Sequence, residues 1–270
     1  MSSNQDYILG INQTELERLE FQNNVWKKMT DDFLERIKIE KNWKCLDAGA
    51  GPGFVSANLR NLVGDSGEVT ALEPSQIYLD HFRNYCSNKN WDNIKFIQGN
   101  VEDTDLEKEY YDFIFLRWVI DFVNEPEKFL LKLTDSLKKG GIIGIQDYSY
   151  EGIALFPKGG AFDNITEIVR NYYGAGGGDL YFTTKIPAIF RKNKIELMEF
   201  SPVSKAGGND SDVFEWAYRF FKVHLPLMAD KNLISRDKCN ELLKDLNDHK
   251  NNPDMIFFSP VIVNIAGKKL

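Results

Sequence analysis

The residues of this sequence that could do chemistry begin in the stretch CLDAGAGPGFVS, residues 45–56. This stretch passes from an apolar run through an acid, Asp47, into a turn that contains Gly49, Gly51 and Gly53. Glycine costs conformational entropy at such a place, so the turn must need bare backbone. A glycine turn between a strand and a helix lets backbone N–H groups approach a bound nucleotide. The stretch therefore predicts a nucleotide-like ligand.

The spacing of the glycines narrows the choice of ligand. A dinucleotide turn of the G-x-G-x-x-G type needs glycine at position 54, where this chain has Phe54, and the match is to G-x-G-x-G instead. Glu73 ends the next predicted strand, where a carboxylate can accept hydrogen bonds from both ribose hydroxyls. These two features fit NAD and S-adenosylmethionine alike. The run QGNVED at residues 98–103 distinguishes between these two ligands, because its small polar side chains suit the hydrogen bonding of an adenine edge.

The elements that must position these residues alternate between short β-rich runs and helical patterns, which indicates a parallel sheet with helices on both faces. The predicted strands are residues 44–48, 68–72, 94–98, 113–116, 142–146, 195–200 and 256–266. The predicted helices include residues 14–38, 126–139, 180–192 with an interruption at Pro187, 212–228 and 235–249. The fold class is therefore α/β, with a doubly wound, mainly parallel, seven-stranded sheet and a helical cap inserted before the last strand.

The same pattern predicts how the chain is divided. We expect one domain over residues 1–270, with an N-terminal helical segment at 1–40. A cofactor-binding half at 41–150 and a substrate half at 151–270 follow, and the cap occupies 212–250 of the second half.

Four motifs in order, DAGAGPG, ALEPS, QGNVED and YYDFIFLRWVIDFV, resemble the successive motifs of class I S-adenosylmethionine-dependent methyltransferases. The resemblance covers residues 44–148 and is greatest to the small-molecule branch that includes the ubiquinone and menaquinone biosynthesis C-methyltransferases. The segments YILG and ELERLEFQ also resemble the N-terminal segments of bacterial members of that branch. The resemblance implies a Rossmann-like methyltransferase fold, S-adenosyl-L-methionine as the cofactor, and a small, apolar or aromatic molecule as the methyl acceptor.

The resemblance also implies which residues bind the cofactor. Asp47 and the backbone of Gly49, Ala50, Gly51 and Gly53 would hold the methionine part, Glu73 beside Pro74 the ribose, and Asn100, Val101 and Glu102 the adenine. Leu116 and Arg117, just after the fourth predicted strand, would lie beside the reacting methyl. The sequence departs from the family at Asn100, where an aspartate is common. An amide can still bond the exocyclic amine through its carbonyl oxygen.

No catalytic residue follows from the sequence, because a general base is needed only if the nucleophile is protonated at the working pH. The candidates are Asp147 and Tyr148, which end the fifth strand where substrates bind in such sheets, and His224 in the predicted cap. A lone histidine in the cap, such as His224 or His249, is more often a surface or packed residue than a general base. The aromatic residues of the cap, including Trp216 and Phe220, form either its core or the lining of an apolar pocket.

Composition excludes several classes of partner. The net charge is −7, from 33 basic and 40 acidic residues, which disfavours nucleic acid because phosphates reward the opposite sign. The three cysteines have no zinc or disulfide spacing, so no metal is expected. The start lacks the pattern of a leader and no apolar run is long enough to span a membrane, so a cytoplasmic location is expected. The sequence does not indicate an oligomeric state.

Two classes of function remain open at this point. The first is an enzyme that methylates a small molecule. The second is an S-adenosylmethionine-binding module without catalytic activity, which would act as a sensor or a partner domain. A nicotinamide oxidoreductase is disfavoured by Phe54.

Overall fold

The computed structural model of the chain describes residues 13–270. The YILG segment lies outside the described residues. The strands of the described part are β1 (Lys44–Ala48), β2 (Glu68–Glu73), β3 (Ile94–Gln98), β4 (Tyr111–Arg117), β5 (Leu137–Ser149), β6 (Ala154–Phe156), β7 (Ile195–Val203), β8 (Ala206–Gly207), β9 (Ile256–Phe258) and β10 (Val261–Lys269). Its helices are α1 (Gln13–Ile37), α2 (Phe54–Val63), α3 (Gln76–Asn88), α4 (Pro126–Ser136), α5 (Ile165–Gly174), α6 (Ile186–Lys192), α7 (Asp212–Asp230) and α8 (Arg236–Lys250).

The chain divides into two compact units built from interleaved segments. Residues 27–147, 182–201 and 263–270 form what we call the sheet unit. Of the described residues, 13–26, 148–181 and 202–262 form what we call the helical unit. The domain division expected from the sequence stays a prediction.

The main sheet has seven strands in the order β3-β2-β1-β4-β5-β10-β7. Strands β1 to β5 pair in parallel, with Asp47 beside Ala71 of β2 on one side and Phe115 of β4 on the other. Parallel strands covered on both faces read as continuous apolar runs, and β1, β2 and β4 are buried along nearly their whole length. The predicted seven-stranded, mainly parallel α/β fold is confirmed.

Two turns at the carboxyl ends of β1 and β2 lead directly into helices. Gly53, the residue immediately before α2, has a left-handed conformation with φ +87°. Ser75 caps α3, because its hydroxyl oxygen accepts a 3.3 Å hydrogen bond from the backbone N–H of Tyr78. Helix α2 therefore begins shortly after Ala48, the last residue of β1, and α3 shortly after Glu73, the last residue of β2.

Several predicted boundaries are wrong. The predicted final strand is two strands, β9 and β10, with Pro260 between them. Proline has no backbone N–H with which to continue a ladder of hydrogen bonds. Helix α4 ends at Ser136 rather than at position 139, because Leu137 pairs with Tyr111 of β4. Pro187 lies in the first turn of α6 and does not interrupt a longer helix, since proline is tolerated there.

The helical unit contains α5, α7, α8 and a small sheet of order β6-β9-β8, which the sequence did not predict. The predicted pair of cap helices is present as α7 and α8, which precede the last strand and pack against each other. Among the described residues, no helix is both long and apolar enough to cross a membrane.

Candidate cofactor site and the residues around it

Three glycines of the turn after β1 have positive φ, but for different reasons. Gly49 has φ +81° and Gly53 has φ +87°, and a Cβ at these positions would lie 2.4 Å from a methyl of Val119 and 2.2 Å from the ring of Phe82. Gly51 has φ +54°, yet a Cβ there would meet nothing within 4 Å. Packing therefore explains why positions 49 and 53 need glycine, whereas the backbone of Gly51 borders open space.

Glu73 is joined to this turn at the end of β2. Its Oε2 accepts a 2.9 Å hydrogen bond from the backbone N–H of Gly51, and its Oε1 accepts a 2.9 Å bond from the N–H of Ser75. The residue is only 5% exposed, and this burial raises the pKa of its carboxyl to about 7 despite the two backbone donors. Each carboxylate oxygen has a further lone pair, so Glu73 can accept two more hydrogen bonds.

Asp47 is buried beneath the turn. Its Oδ2 accepts a 2.6 Å hydrogen bond from the hydroxyl of Ser56 on α2. Burial raises the pKa of the Asp47 carboxyl to about 6, while the Ser56 hydroxyl and the charge of Arg117 act in the opposite direction. The carboxylate therefore ties the end of β1 to the first turns of α2, and its contact with a methionine group stays a prediction.

Arg117, at the end of β4, belongs to a buried polar chain. Its Nη1 donates a 3.1 Å hydrogen bond to Oγ1 of Thr30, whose hydroxyl donates a 2.8 Å bond to Oε1 of Gln146. The amide of Gln146 donates in turn to Oδ1 of Asn264 at 2.7 Å. Burial lowers the pKa of Arg117 to about 10, so the guanidinium stays charged at neutral pH. Strands β4, β5 and β10 and helix α1 thus hold this cation in place.

Asp147, a catalytic candidate, is engaged by backbone groups. Its Oδ2 accepts hydrogen bonds from the N–H groups of Val119 at 2.8 Å and Ile120 at 2.9 Å, and the residue is fully buried. Val119 is also the side chain that packs against Gly49. Asp147 therefore holds the segment after β4 against the glycine turn, and its catalytic role stays a prediction. The other strand-end candidate, Tyr148, is buried and packs edge-on against Tyr150.

The loop after β3 is organised around Asn100. Its side-chain oxygen accepts a 3.2 Å hydrogen bond from the N–H of Glu102, and its backbone oxygen accepts a 2.8 Å bond from the hydroxyl of Thr104. Val101 is buried, and the Glu102 carboxylate accepts a bond from the N–H of Asn124 at 3.1 Å. The side chain of Asn100 is half-buried, and one lone pair of its carbonyl oxygen remains for an adenine amine.

The remaining candidates take different positions. Leu116 is fully buried in β4, so its side chain belongs to the core, whereas Pro74 is exposed. His249 is a structural residue, because its Nδ1 lies 2.8 Å from the backbone oxygen of Asp245 and its Nε2 lies 3.1 Å from that of Pro157. His224 is fully buried in α7 of the helical unit. The structure thus joins Gly51 to Glu73 directly, whereas both histidines belong to the helical unit.

Sequence reasoning missed Ser56, Ser75, Thr30 and Val119. Ser75 could have been found as a helix cap, because serine directly before a helical run is a start signal. Val119 acts mainly through its backbone N–H and its packing on Gly49, and neither property is visible from residue type.

A parallel sheet with a glycine turn after its first strand, and with an acid at the end of its second, defines the class: an S-adenosylmethionine-dependent methyltransferase. The family model described as "Methyltransferase domain" matches residues 39–182, which is more than half of the chain. The chain belongs to this family, and its cofactor is S-adenosyl-L-methionine.

Individual relatives agree with this assignment. A ubiquinone/menaquinone biosynthesis C-methyltransferase, UbiE of Pectobacterium carotovorum subsp. carotovorum (strain PC1), is 27% identical over 128 residues, which are 47% of this chain and 50% of the relative. The chain thus matches about half the length of such curated relatives. The fold resembles YcgJ from Bacillus subtilis, with a TM-score of 0.59, 18% identity, and coverage of 87% of this chain and 95% of that one. It also resembles geranyl diphosphate C-methyltransferase from Streptomyces coelicolor A3(2), with a TM-score of 0.55, 12% identity, and coverage of 90% and 76%.

Proposed function

We propose that this protein transfers the methyl group of S-adenosyl-L-methionine to a small, apolar or aromatic molecule. The observation that carries the proposal is the open backbone of Gly51 beside the buried carboxylate of Glu73. Open space at a positive-φ glycine admits a ligand close to the main chain, and a buried carboxylate with free lone pairs suits a pair of hydroxyls.

The proposed binding roles follow from this arrangement. Glu73 accepts hydrogen bonds from both ribose hydroxyls, and Asn100 accepts one from the adenine amine while Val101 packs beside the ring. The turn from Gly49 to Gly53 takes the methionine part, with Asp47 and Arg117 behind it. These roles extend the family resemblance to residues that the structure finds at strand ends and in strand-end loops.

The chemistry needs little from the protein beyond positioning. When bound, S-adenosylmethionine supplies a methyl group already activated by its sulfonium. The protein's residues hold the ligand in one register and keep the loop after β4 against the glycine turn through Asp147. Correct orientation of two reactants can replace several kcal/mol of entropic cost. No described side chain has to form a covalent intermediate.

The class of acceptor is drawn from the sequence and from the relatives. UbiE is named as a quinone-pathway C-methyltransferase, and a solved neighbour is named as a geranyl diphosphate C-methyltransferase. Both names describe methylation of small molecules. We therefore assign this chain a small organic acceptor; a cytoplasmic location and the exclusion of nucleic acid stay predictions from its composition.

The direct test is to incubate the purified protein with methyl-labelled S-adenosylmethionine and a metabolite extract, and to search for labelled products by mass spectrometry. We expect a labelled small molecule that is absent when Glu73→Ala replaces the wild type. Calorimetry should show binding of S-adenosylmethionine and S-adenosylhomocysteine but not of NAD. Tight NAD binding would contradict the proposal.

The alternative is a binding module that keeps the nucleoside site but has no acceptor. It predicts tight, specific binding of S-adenosylmethionine by calorimetry, together with no labelled product from extracts of several sources. The two outcomes differ in the product alone, so both measurements are needed on the same preparation.

A further inference from the structure

The helical unit contains a buried histidine without hydrogen bonds to the described part of the chain. His224 on α7 is fully buried, and neither of its ring nitrogens has a hydrogen-bond partner among residues 13–270. Buried polar atoms in native proteins are nearly always partnered, and the exceptions call for an explanation. The aromatic neighbours do not supply a partner: the His224 ring is tilted against that of Phe220, with centroids 4.2 Å apart, and its centroid lies 6.1 Å from that of Tyr172.

The same unit shows how the fold treats a buried histidine with a structural role. Both ring nitrogens of His249 on α8 lie within hydrogen-bond distance of backbone oxygens, those of Asp245 and Pro157. His224 has no such arrangement, although a phenylalanine at position 224 would fill an aromatic site without leaving polar atoms unsatisfied. The choice of histidine there therefore indicates a polar partner other than the described side chains.

The chemistry of that partner follows from the state of the ring. Burial, together with the charges of Arg18 and Lys231, lowers the pKa of His224 to about 3. The imidazole is therefore neutral near pH 7, and a neutral imidazole has one N–H donor and one acceptor nitrogen. A hydroxyl group can satisfy either nitrogen, whichever tautomer is present. The aromatic neighbours favour a ring as the body of the same ligand.

We propose that His224 hydrogen-bonds the hydroxyl group of a small aromatic molecule that binds among Tyr172, Phe220 and His224 of the helical unit. Of these three side chains only Phe220 is partly exposed, so the proposed site is nearest to solvent at its ring. The inference rests on the proposed function in one respect, which is that this molecule is taken to be the methyl acceptor.

The test uses the full chain without cofactor and two probes of matched shape, 2-naphthol and 2-methylnaphthalene, titrated by fluorescence. We expect the wild type to bind 2-naphthol about ten-fold more tightly, which is the effect of about one net hydrogen bond. His224→Phe keeps the ring but has no ring nitrogen, so it should bind both probes equally. His81→Gln changes an exposed histidine and serves as the control that keeps the preference.

A second measurement does not depend on whether a variant folds. The chain has three histidines, so the ring nitrogens of ¹⁵N-histidine-labelled wild type can be assigned one by one in NMR spectra. We expect 2-naphthol to cause the large ¹⁵N shift of a new hydrogen bond at a His224 ring nitrogen and 2-methylnaphthalene to cause only the small shift of a neighbouring ring, with His249 unchanged by both. Equal affinities for the two probes in the wild type, binding of neither, or a preference that survives in His224→Phe would each overturn the inference.

These outcomes are separable from failure of the proposed function. A chain that prefers 2-naphthol through His224 but produces no methylated product has the aromatic-alcohol site without methyl transfer. A chain that methylates a small molecule but shows no preference that depends on His224 has the enzyme activity without this site.

Discussion

Glu73 and Gly51, which lie 22 positions apart in the sequence, are joined by a 2.9 Å hydrogen bond from the backbone N–H of Gly51 to Oε2 of Glu73. The bond couples the acid at the end of β2 to the one glycine of the turn whose Cβ position is open.

Removal of the Glu73 carboxylate should weaken cofactor binding. Charge-assisted hydrogen bonds contribute about 1.5–3 kcal/mol each, so Glu73→Ala should raise the dissociation constant of S-adenosylmethionine at least ten-fold. Calorimetry gives the constant directly. Glu68→Ala, at the other end of the same strand, removes an acid that bonds Lys95 and Tyr110 and should leave the constant within about two-fold. An unchanged constant for Glu73→Ala would show that another acid holds the ribose.

Cofactor affinity should depend on pH through Glu73. Its pKa is about 7 without ligand, and hydroxyl donors favour the ionised form, so the pKa must be lower in the complex. Affinity should therefore be constant above about pH 7 and fall as the pH drops below it, by at most about ten-fold per pH unit. Titrations from pH 5 to pH 8 measure the slope. Glu73→Gln should bind weakly at every pH with no slope, and a slope that persists would assign the titration to another group.

Open space at Gly51 predicts that a side chain there blocks the ligand without disturbing the fold. Asparagine tolerates the left-handed region, so Gly51→Asn should abolish cofactor binding while the melting temperature changes little. Gly140→Asn is the matched control, since Gly140 also has positive φ, at +80°, and the nearest atom to its Cβ position lies 4.0 Å away. That variant should bind cofactor normally.

Gly53→Ala, unlike Gly51→Asn, should destabilise the fold, because its Cβ would enter the ring of Phe82. We expect a lowered melting temperature for Gly53→Ala. Full cofactor binding by Gly51→Asn would place the ligand elsewhere.

Asp147 should prove structural when tested. Its carboxylate satisfies the buried N–H groups of Val119 and Ile120, and each buried donor left without a partner costs about 1–3 kcal/mol. Asp147→Ala should therefore lower the unfolding free energy by about 3 kcal/mol in denaturant titrations. Asp147→Asn keeps one acceptor oxygen and should lose less. A stable Asp147→Ala protein that has lost only methyl transfer would restore the catalytic role expected from the sequence.

Trp216 belongs to the core of the helical unit. It is buried, its ring packs edge-on against Trp26 with centroids 5.3 Å apart, and its indole N–H donates a 2.9 Å hydrogen bond to Gln22. Trp216→Ala should cost about 3–5 kcal/mol of stability, measured by thermal or chemical denaturation. Phe220→Ala removes a half-buried ring and should cost less. A small loss of stability for Trp216→Ala would instead favour its assignment to the lining of a pocket. Selection of the acceptor by the cap stays a prediction.

The strands of the sheet unit were predictable because buried parallel strands are contiguous apolar runs. β1 and β3 match the predicted limits, and the acid at the end of β2 was identified from its position after such a run. The small sheet was missed because its strands have two or three residues each, too few for a pattern of alternation. The helical spacing of apolar residues likewise predicted too long an α4. The helix ends early because Leu137 pairs with Tyr111, a long-range contact that local spacing does not reveal.

The candidate site was predictable where a side chain does the work and not where the backbone does. Glu73 and the glycines were found from residue type and spacing. The donors to Glu73 and to Asp147 are backbone N–H groups, which every residue except proline carries, so their partners could not be read from sequence. The same limit applies to Asp147 itself, which has the residue type of a general base and the contacts of an anchor.

Strand β10 is the last strand in the chain, but in the main sheet it lies between β5 and β7. During synthesis on the ribosome, β5 and β7 are made long before the strand that separates them. Until β10 emerges, the two strands have open edges that can pair with other chains. The nascent protein therefore passes through a stage that favours aggregation, and a chaperone that binds extended segments would be most useful at that stage. A stop codon before position 261 should yield insoluble chains even though every residue of the glycine turn and Glu73 is already present.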